Sequence, residues 1–99
     1  MNITVDQVYT FKLNSGEEVI AKVKSIDGSN VVVSEPVSVA PGPQGMGLVP
    51  SMFTSDPKAE VRLNTNSISL YAVTDESVKN KYIEATTGIK LPEKKLILG

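Results

Sequence analysis

Two stretches near the start of the chain alternate between apolar and polar side chains with a period of two. Odd-numbered positions are apolar in residues 9–13, and Val19, Ala21 and Val23 repeat the pattern further along. A period of two places successive side chains on opposite faces of a strand, so both stretches are predicted to be half-buried strands and not helices. The segment 14–17 between them has turn-forming residue types, and we therefore expect a β-hairpin.

A third stretch is apolar on both faces. Residues 30–34 read Asn-Val-Val-Val-Ser, and apolar residues resume at 37–39 after Pro36. Because proline cannot donate to a strand ladder, a long strand with a proline near its middle predicts a sharp bend or a sheet edge there. Two further strands are expected at about 58–63 and 68–73, joined by a polar turn.

Residues 40–57, between the third and fourth predicted strands, are rich in proline and glycine and show no period. They predict an irregular loop, and loops of this length inside compact domains are usually functional or disordered. Phe53 is the one aromatic residue that we suspect of reaching a partner, with packing in the core or between subunits as the competing interpretation.

Helix signals follow the last predicted strand. Thr74 or Asp75 is a candidate N-cap, and Val78 and Tyr82 recur at the spacing of one helix face. Gly88 is a natural stop. We expect a short helix at about 76–87 that packs this stripe on the sheet, and the segment 91–99 could add a short strand.

Composition narrows the function classes. The chain has 99 residues, no Cys and no His, which indicates a single domain over residues 1–99 without disulfides, thiolate metal sites or the commonest general base. We expect no enzyme activity, no cofactor and no metal site. Apolar runs are too short to cross a membrane. The net charge of -1 means that nucleic-acid binding would need a local site.

The element order predicts a mainly β fold. The order is three strands, a loop, two strands and a helix, joined by short turns. Such a strongly curved sheet must bury both its concave interior and part of its edges. The expected architecture is a small, five-stranded, strongly bent open barrel with one short C-terminal helix.

The first three strands resemble a known motif. Their apolar positions, turn glycine and closing Asp-x-x-Asn are similar to the first motif of the Sm-like family (the LSm and Hfq type): Phe11-x-Leu13-x-x-Gly16-x-x-Val19-x-Ala21-x-Val23-x-x-Ile26-Asp27, then Asn30. Residues 61–70 resemble the family's second motif, two short strands joined by a tight polar turn. The resemblance implies an Sm-like barrel.

The chain departs from the family pattern in places. The turn between Asp27 and Asn30 is one residue short, and the neutral Asn64 and Thr65 stand where the family has Arg-Gly or Lys-His. The helix follows the last strand instead of preceding the first. These departures indicate a divergent member similar to the Sm-like proteins of tailed phages, which would work in the host cytoplasm.

The resemblance implies a homo-oligomeric ring of about five to seven copies, closed by head-to-tail pairing of the fourth strand with the fifth strand of the next copy. An apolar edge strand on a thin core independently favours a covering partner. The candidate interface residues are Val61, Leu63, Ile68 and Leu70.

The resemblance further implies binding of single-stranded, A/U-rich RNA at the pore by an RNA chaperone or regulator. The candidate RNA-binding residues are Asp27, Asn30, Asn64, Thr65 and Asn66, for which ordinary turn chemistry is the competing interpretation. The missing cation and the pI near 5.3 favour the alternative, a protein-interaction or scaffold ring that has lost RNA binding. Neither function involves a membrane or a small-molecule substrate.

Overall fold

The computed structural model describes residues 2–43 and 45–87, and within them the chain forms six strands, one 3-10 turn and one helix. The elements are β1 (Val8–Leu13), β2 (Glu18–Asp27), β3 (Asn30–Gly42), β4 (Gly45–Pro50), β5 (Glu60–Asn64), the 3-10 turn (Thr65–Ser67), β6 (Ile68–Val73) and α1 (Glu76–Thr87). The antiparallel order is β4-β3-β2-β1-β6, and β5 pairs with β3. The mainly β class and the C-terminal helix are confirmed, and the segment 91–99 lies outside the described residues.

The described residues contain one strand more than the five predicted, because residues 40–42 and 45–50 lie in strands and not in an irregular loop. The end of β3 and β4 form a hairpin that pairs Val39 with Leu48 and turns between Gly42 and Gly45. Pairing of β2 with β3 ends at Ser38, so β3 has a free edge beyond it that tolerates a proline. Proline and glycine in this segment mark a two-stranded arm, and residues 51–59, which follow β4, lack strand structure.

The sheet is strongly coiled. At one end β5 pairs with β3 at Asn30, and at the other β6 pairs with β1 at Leu13, although only the 3-10 turn separates β5 from β6. In a flat sheet these two points would lie roughly 30 Å apart along β2, whereas the link from Asn64 to Ile68 spans at most about 14 Å. Irregularities in the pairing of β2 with β3 supply the bends that close this gap.

The main core lies inside the coil. The alternating positions predicted from the sequence form it, since Tyr9, Phe11, Ala21, Val23, Val31 and Val33 are all buried in one cluster. Side chains from both ends of the coil pack against this cluster, among them Leu63 of β5 and Ile68 of β6. The period of two in the first hairpin therefore specified which face of the sheet is interior.

A second core lies on the opposite face, under α1. Val8, Ile20, Val37 and Tyr82 form it, with Val78 packed beside them, which confirms the predicted helix stripe. Asp75 is the N-cap: its Oδ2 accepts hydrogen bonds from the Ser77 N–H at 3.1 Å and the Val78 N–H at 3.3 Å. No helix among the described residues has the length and apolar character needed to cross a membrane.

The Tyr82 hydroxyl lies at the bend of β3. Pairing with β2 shifts between Ser34 and Val37, and Glu35 adopts a positive φ of 50° there. The hydroxyl donates to the carbonyls of Ser34 (3.1 Å) and Glu35 (3.0 Å) and accepts from the Lys22 N–H (3.2 Å). It thereby bonds to backbone groups of both strands at the point where the β2–β3 register shifts.

Candidate nucleic-acid interface

Three of the candidate RNA-binding residues stand side by side on adjoining strands. Asp27 pairs with Asn30 across the β2–β3 turn, and Asn30 pairs with Asn64 of β5. Directly paired residues share a face of the sheet. Because Val31 and Leu63 point into the core, alternation places the row Asp27–Asn30–Asn64 on the outward face.

Asn64 and Thr65 also have structural roles in the turn. Asn64 is the N-cap of the 3-10 turn, with its Oδ1 accepting from the Asn66 N–H at 2.8 Å. Its carbonyl accepts from the Ser67 hydroxyl at 2.7 Å. The Thr65 N–H donates to the Ser29 carbonyl at 2.8 Å, which joins this turn to the β2–β3 turn. Asn64 and Thr65 therefore make the hydrogen bonds expected of ordinary turn residues, which is the interpretation that competes with RNA binding.

The β1–β2 turn contacts the 3-10 turn. Asn14 donates from its Nδ2 to the Asn66 carbonyl at 2.8 Å and from its N–H to the Ser67 carbonyl, also at 2.8 Å. Its Oδ1 accepts from the Ser69 hydroxyl at 2.6 Å. Sequence reasoning treated Asn14 only as a turn residue, because nothing local shows that a turn fifty residues later will lie beside it.

Arg62 is the functional candidate that sequence reasoning missed. It lies opposite Val32 on the same outward face as Asn64, and its side chain reaches across β3 so that Nε lies 3.8 Å from Oδ2 of Asp27. The two side chains are 61% and 65% exposed. Alternation of Val61, Arg62 and Leu63 was the available signal, since it places the guanidinium on the outward face.

The cluster therefore combines amides, a carboxylate and a guanidinium on an open surface. Such groups can hydrogen-bond to base edges and phosphate oxygens. The formal charges of Asp27 and Arg62 cancel, so the cluster offers donors and acceptors without a net positive charge. Among the described residues, no group of three or more side chains could hold a metal ion.

The candidate interface residues divide into two kinds. Val61, Leu63 and Ile68 are partly buried against the chain's own core, whereas Leu70 is 67% exposed. Val73, which sequence reasoning did not select, is 60% exposed on the inward face beside Tyr9. Within the described residues, the outer edges of β5 and β6 have no strand partner.

Phe53 lies in the segment after β4 and is 77% exposed. Its neighbour Met52 lines a shallow depression of about 250 Å³, together with residues that include Leu13 and Leu63. The expectation that Phe53 is available to a partner is compatible with this position, and the contact itself stays a prediction.

No family model and no curated protein matches the chain.

Proposed function

We propose that this chain is the subunit of a head-to-tail Sm-like ring that binds single-stranded, A/U-rich RNA at its inner rim and acts as an RNA chaperone or regulator. The observation that carries the proposal is the pair of open strand edges, on β5 and β6, joined by the turn where the polar cluster lies. The divergent, phage-like membership inferred from the sequence belongs to this proposal.

The two edges suit each other as partners. An open edge presents unpaired N–H and C=O groups to another strand, and the edges belong to opposite ends of one coiled sheet. Pairing the β6 edge of one copy with the β5 edge of the next is a heterologous contact, which gives a ring when the rotation closes. Val73 of one copy would then lie near Val61 and Leu63 of the next, extending the apolar interior across the boundary.

Ring formation would repeat the polar cluster around one axis. Because the 3-10 turn lies between both edges, each copy contributes one row of Asp27, Asn30 and Asn64 with Arg62 beside it. Single-stranded RNA exposes base edges and phosphates at a regular spacing, so a repeated set of amide and guanidinium groups matches it. Affinity from phosphate contacts would depend on salt.

The assembly is tested by native mass spectrometry of the wild type and of Val73→Lys. We expect a closed oligomer for the wild type and a folded monomer for the variant, because a lysine on the inward face is tolerated in water but not against a neighbour's apolar side chains. Ile83→Lys, at an exposed position of α1, is the matched control and should keep the wild-type mass. A monomeric wild type would contradict the ring.

RNA binding is tested by titrating labelled oligo-U and oligo-A at low and high salt. We expect binding that weakens with salt and that Asn30→Ala reduces, whereas Asn80→Ala on α1 leaves it unchanged. Asn30 is the better choice because the Asn64 side chain also holds the turn.

A scaffold ring is the second candidate, favoured by the charge balance of the cluster. The turn residues are neutral, and the Arg62 guanidinium faces the Asp27 carboxylate. A closed oligomer that binds neither oligonucleotide at low salt would support this function over RNA binding.

A further inference from the structure

The ion pair between Arg62 and Asp27 is loose. The Nε–Oδ2 distance of 3.8 Å is longer than a hydrogen bond. The other ion pair among the described residues, Lys24 with Asp6, is hydrogen-bonded at 3.2 Å. Exposed pairs contribute little to stability, so the Asp27 contact can be exchanged for another anion at low cost.

A phosphate is a better partner for this guanidinium than Asp27 is at this distance. Arginine offers five N–H donors in a planar fork that matches phosphate oxygens in pairs, whereas the Asp27 carboxylate lies 3.8 Å from Nε, outside hydrogen-bond distance. The 65% exposed carboxylate can return to water when displaced. The outward amides of Asn30 and Asn64 lie beside the position that an incoming phosphate would take.

We propose that Asp27 is a built-in competitor for Arg62: it holds the guanidinium in the free protein, and an oxyanion, the RNA phosphate under the proposed function, displaces it on binding. The RNA part rests on that function. Asp27 then lowers affinity, so removing its charge strengthens binding. If Asp27 served only to order the β2–β3 turn, removing its charge would leave affinity unchanged or weaken it.

The test compares Asp27→Asn with wild type in two titrations. In the first, the probe is oligo-U: the variant is expected to bind several-fold tighter at low salt, with a salt slope like that of the wild type, because Arg62 contacts the phosphate in both proteins. In the second, the probe is inorganic phosphate, followed through the Arg62 Nε–Hε resonance by NMR. The variant should respond at lower phosphate concentration than the wild type.

Asp6→Asn is the matched control. It also removes one exposed carboxylate from an ion pair and changes the net charge equally, but it frees Lys24 instead of Arg62. It should leave the Arg62 resonance at its wild-type phosphate response. Asparagine suits turns as well as aspartate does, and thermal unfolding verifies that both variants are folded.

The outcomes separate this inference from the proposed function. A tighter phosphate response at Arg62 in Asp27→Asn, with no oligo-U binding by either protein, supports the competitor role and contradicts RNA binding. An unchanged or weaker response of Arg62 to phosphate in Asp27→Asn overturns the competitor role, whatever oligo-U does. An equal gain from Asp6→Asn would overturn it as well, since general charge would then explain the effect.

Discussion

Tyr82 combines two functions in one side chain. Its ring completes the second core, and its hydroxyl bonds to three backbone groups at the bend of β3. Helical spacing was enough to predict the buried ring. The hydroxyl's role was beyond sequence reasoning, because Ser34 and Glu35 lie almost fifty residues earlier and need a partner only once β3 has bent.

Tyr82→Phe tests the hydroxyl. The substitution keeps the packing but leaves the Lys22 N–H and two carbonyls without this partner, so the free energy of unfolding should fall by about 1–3 kcal/mol. Urea denaturation measures it. Tyr71→Phe is the control: the Tyr71 hydroxyl accepts one exposed hydrogen bond from the Asn2 N–H, and its loss should cost less than about 0.5 kcal/mol. Equal losses of stability in the two variants would contradict the role of the Tyr82 hydroxyl at the bend of β3.

Alkaline pH gives an independent measurement of the same group. Burial, together with the Glu35 charge, raises the pKa of Tyr82 to about 12, against an opposing hydrogen bond from Lys22. An unfolded tyrosine has a pKa of about 10, so the unfolded chain loses its proton first. The stabilisation from this group is complete below pH 10 and is lost as pH rises toward 12. The fall should be shallower in Tyr82→Phe.

Among the elements, α1 was predicted within its observed bounds and β4 was missed. The helix has local signals at its start and along one face, which need no tertiary information. The β3–β4 arm has prolines and glycines that are typical of loops, and it is recognisable only when β3 is known to have a free edge beyond Ser38. Local residue preferences were therefore sufficient to predict α1, whereas predicting β4 required knowing where the neighbouring strand β2 ends.

Asp75 tests how far the cap determines the helix. Hydrogen bonds from the Ser77 hydroxyl and the Val78 N–H lower the pKa of Asp75 below its usual 3.8, so its contribution is present above that value and is lost as pH falls through the lowered pKa. Asp75→Ala should speed amide exchange in the first turn of α1. Asp75→Asn should largely restore protection, since its oxygen still caps, and should remove the acid dependence. Unchanged exchange in Asp75→Ala would contradict the cap.

For the whole molecule, the interior face was predictable and the surface site was predictable only in part. Alternation identified the core, and the resemblance to the Sm-like motifs selected Asp27, Asn30 and Asn64 as candidates. Arg62 was overlooked because its importance depends on β5 lying next to β3, a pairing between residues thirty positions apart. The proximity of Asn14 to the 3-10 turn depends on the coiling of the sheet in the same way.

Association should appear in the thermal stability of the whole chain. If the open edges of β5 and β6 pair between copies, the native state is stabilised by mass action and Tm rises with protein concentration. Differential scanning calorimetry over a hundredfold concentration range measures this for wild type and for Val73→Lys. The variant's Tm should be independent of concentration, and the same independence in the wild type would argue against pairing.

The short link between Asn64 and Ile68 has a geometric meaning of its own. It holds two ends of the sheet close together, and a longer link would allow them to separate. The number of residues in the link therefore determines how strongly the sheet is curved. In a closed ring, the curvature of each subunit sets the angle between it and its neighbour. If the chain forms the proposed ring, one residue inserted next to Asn66 would change the angle between neighbouring copies, so the ring would close with a different number of them.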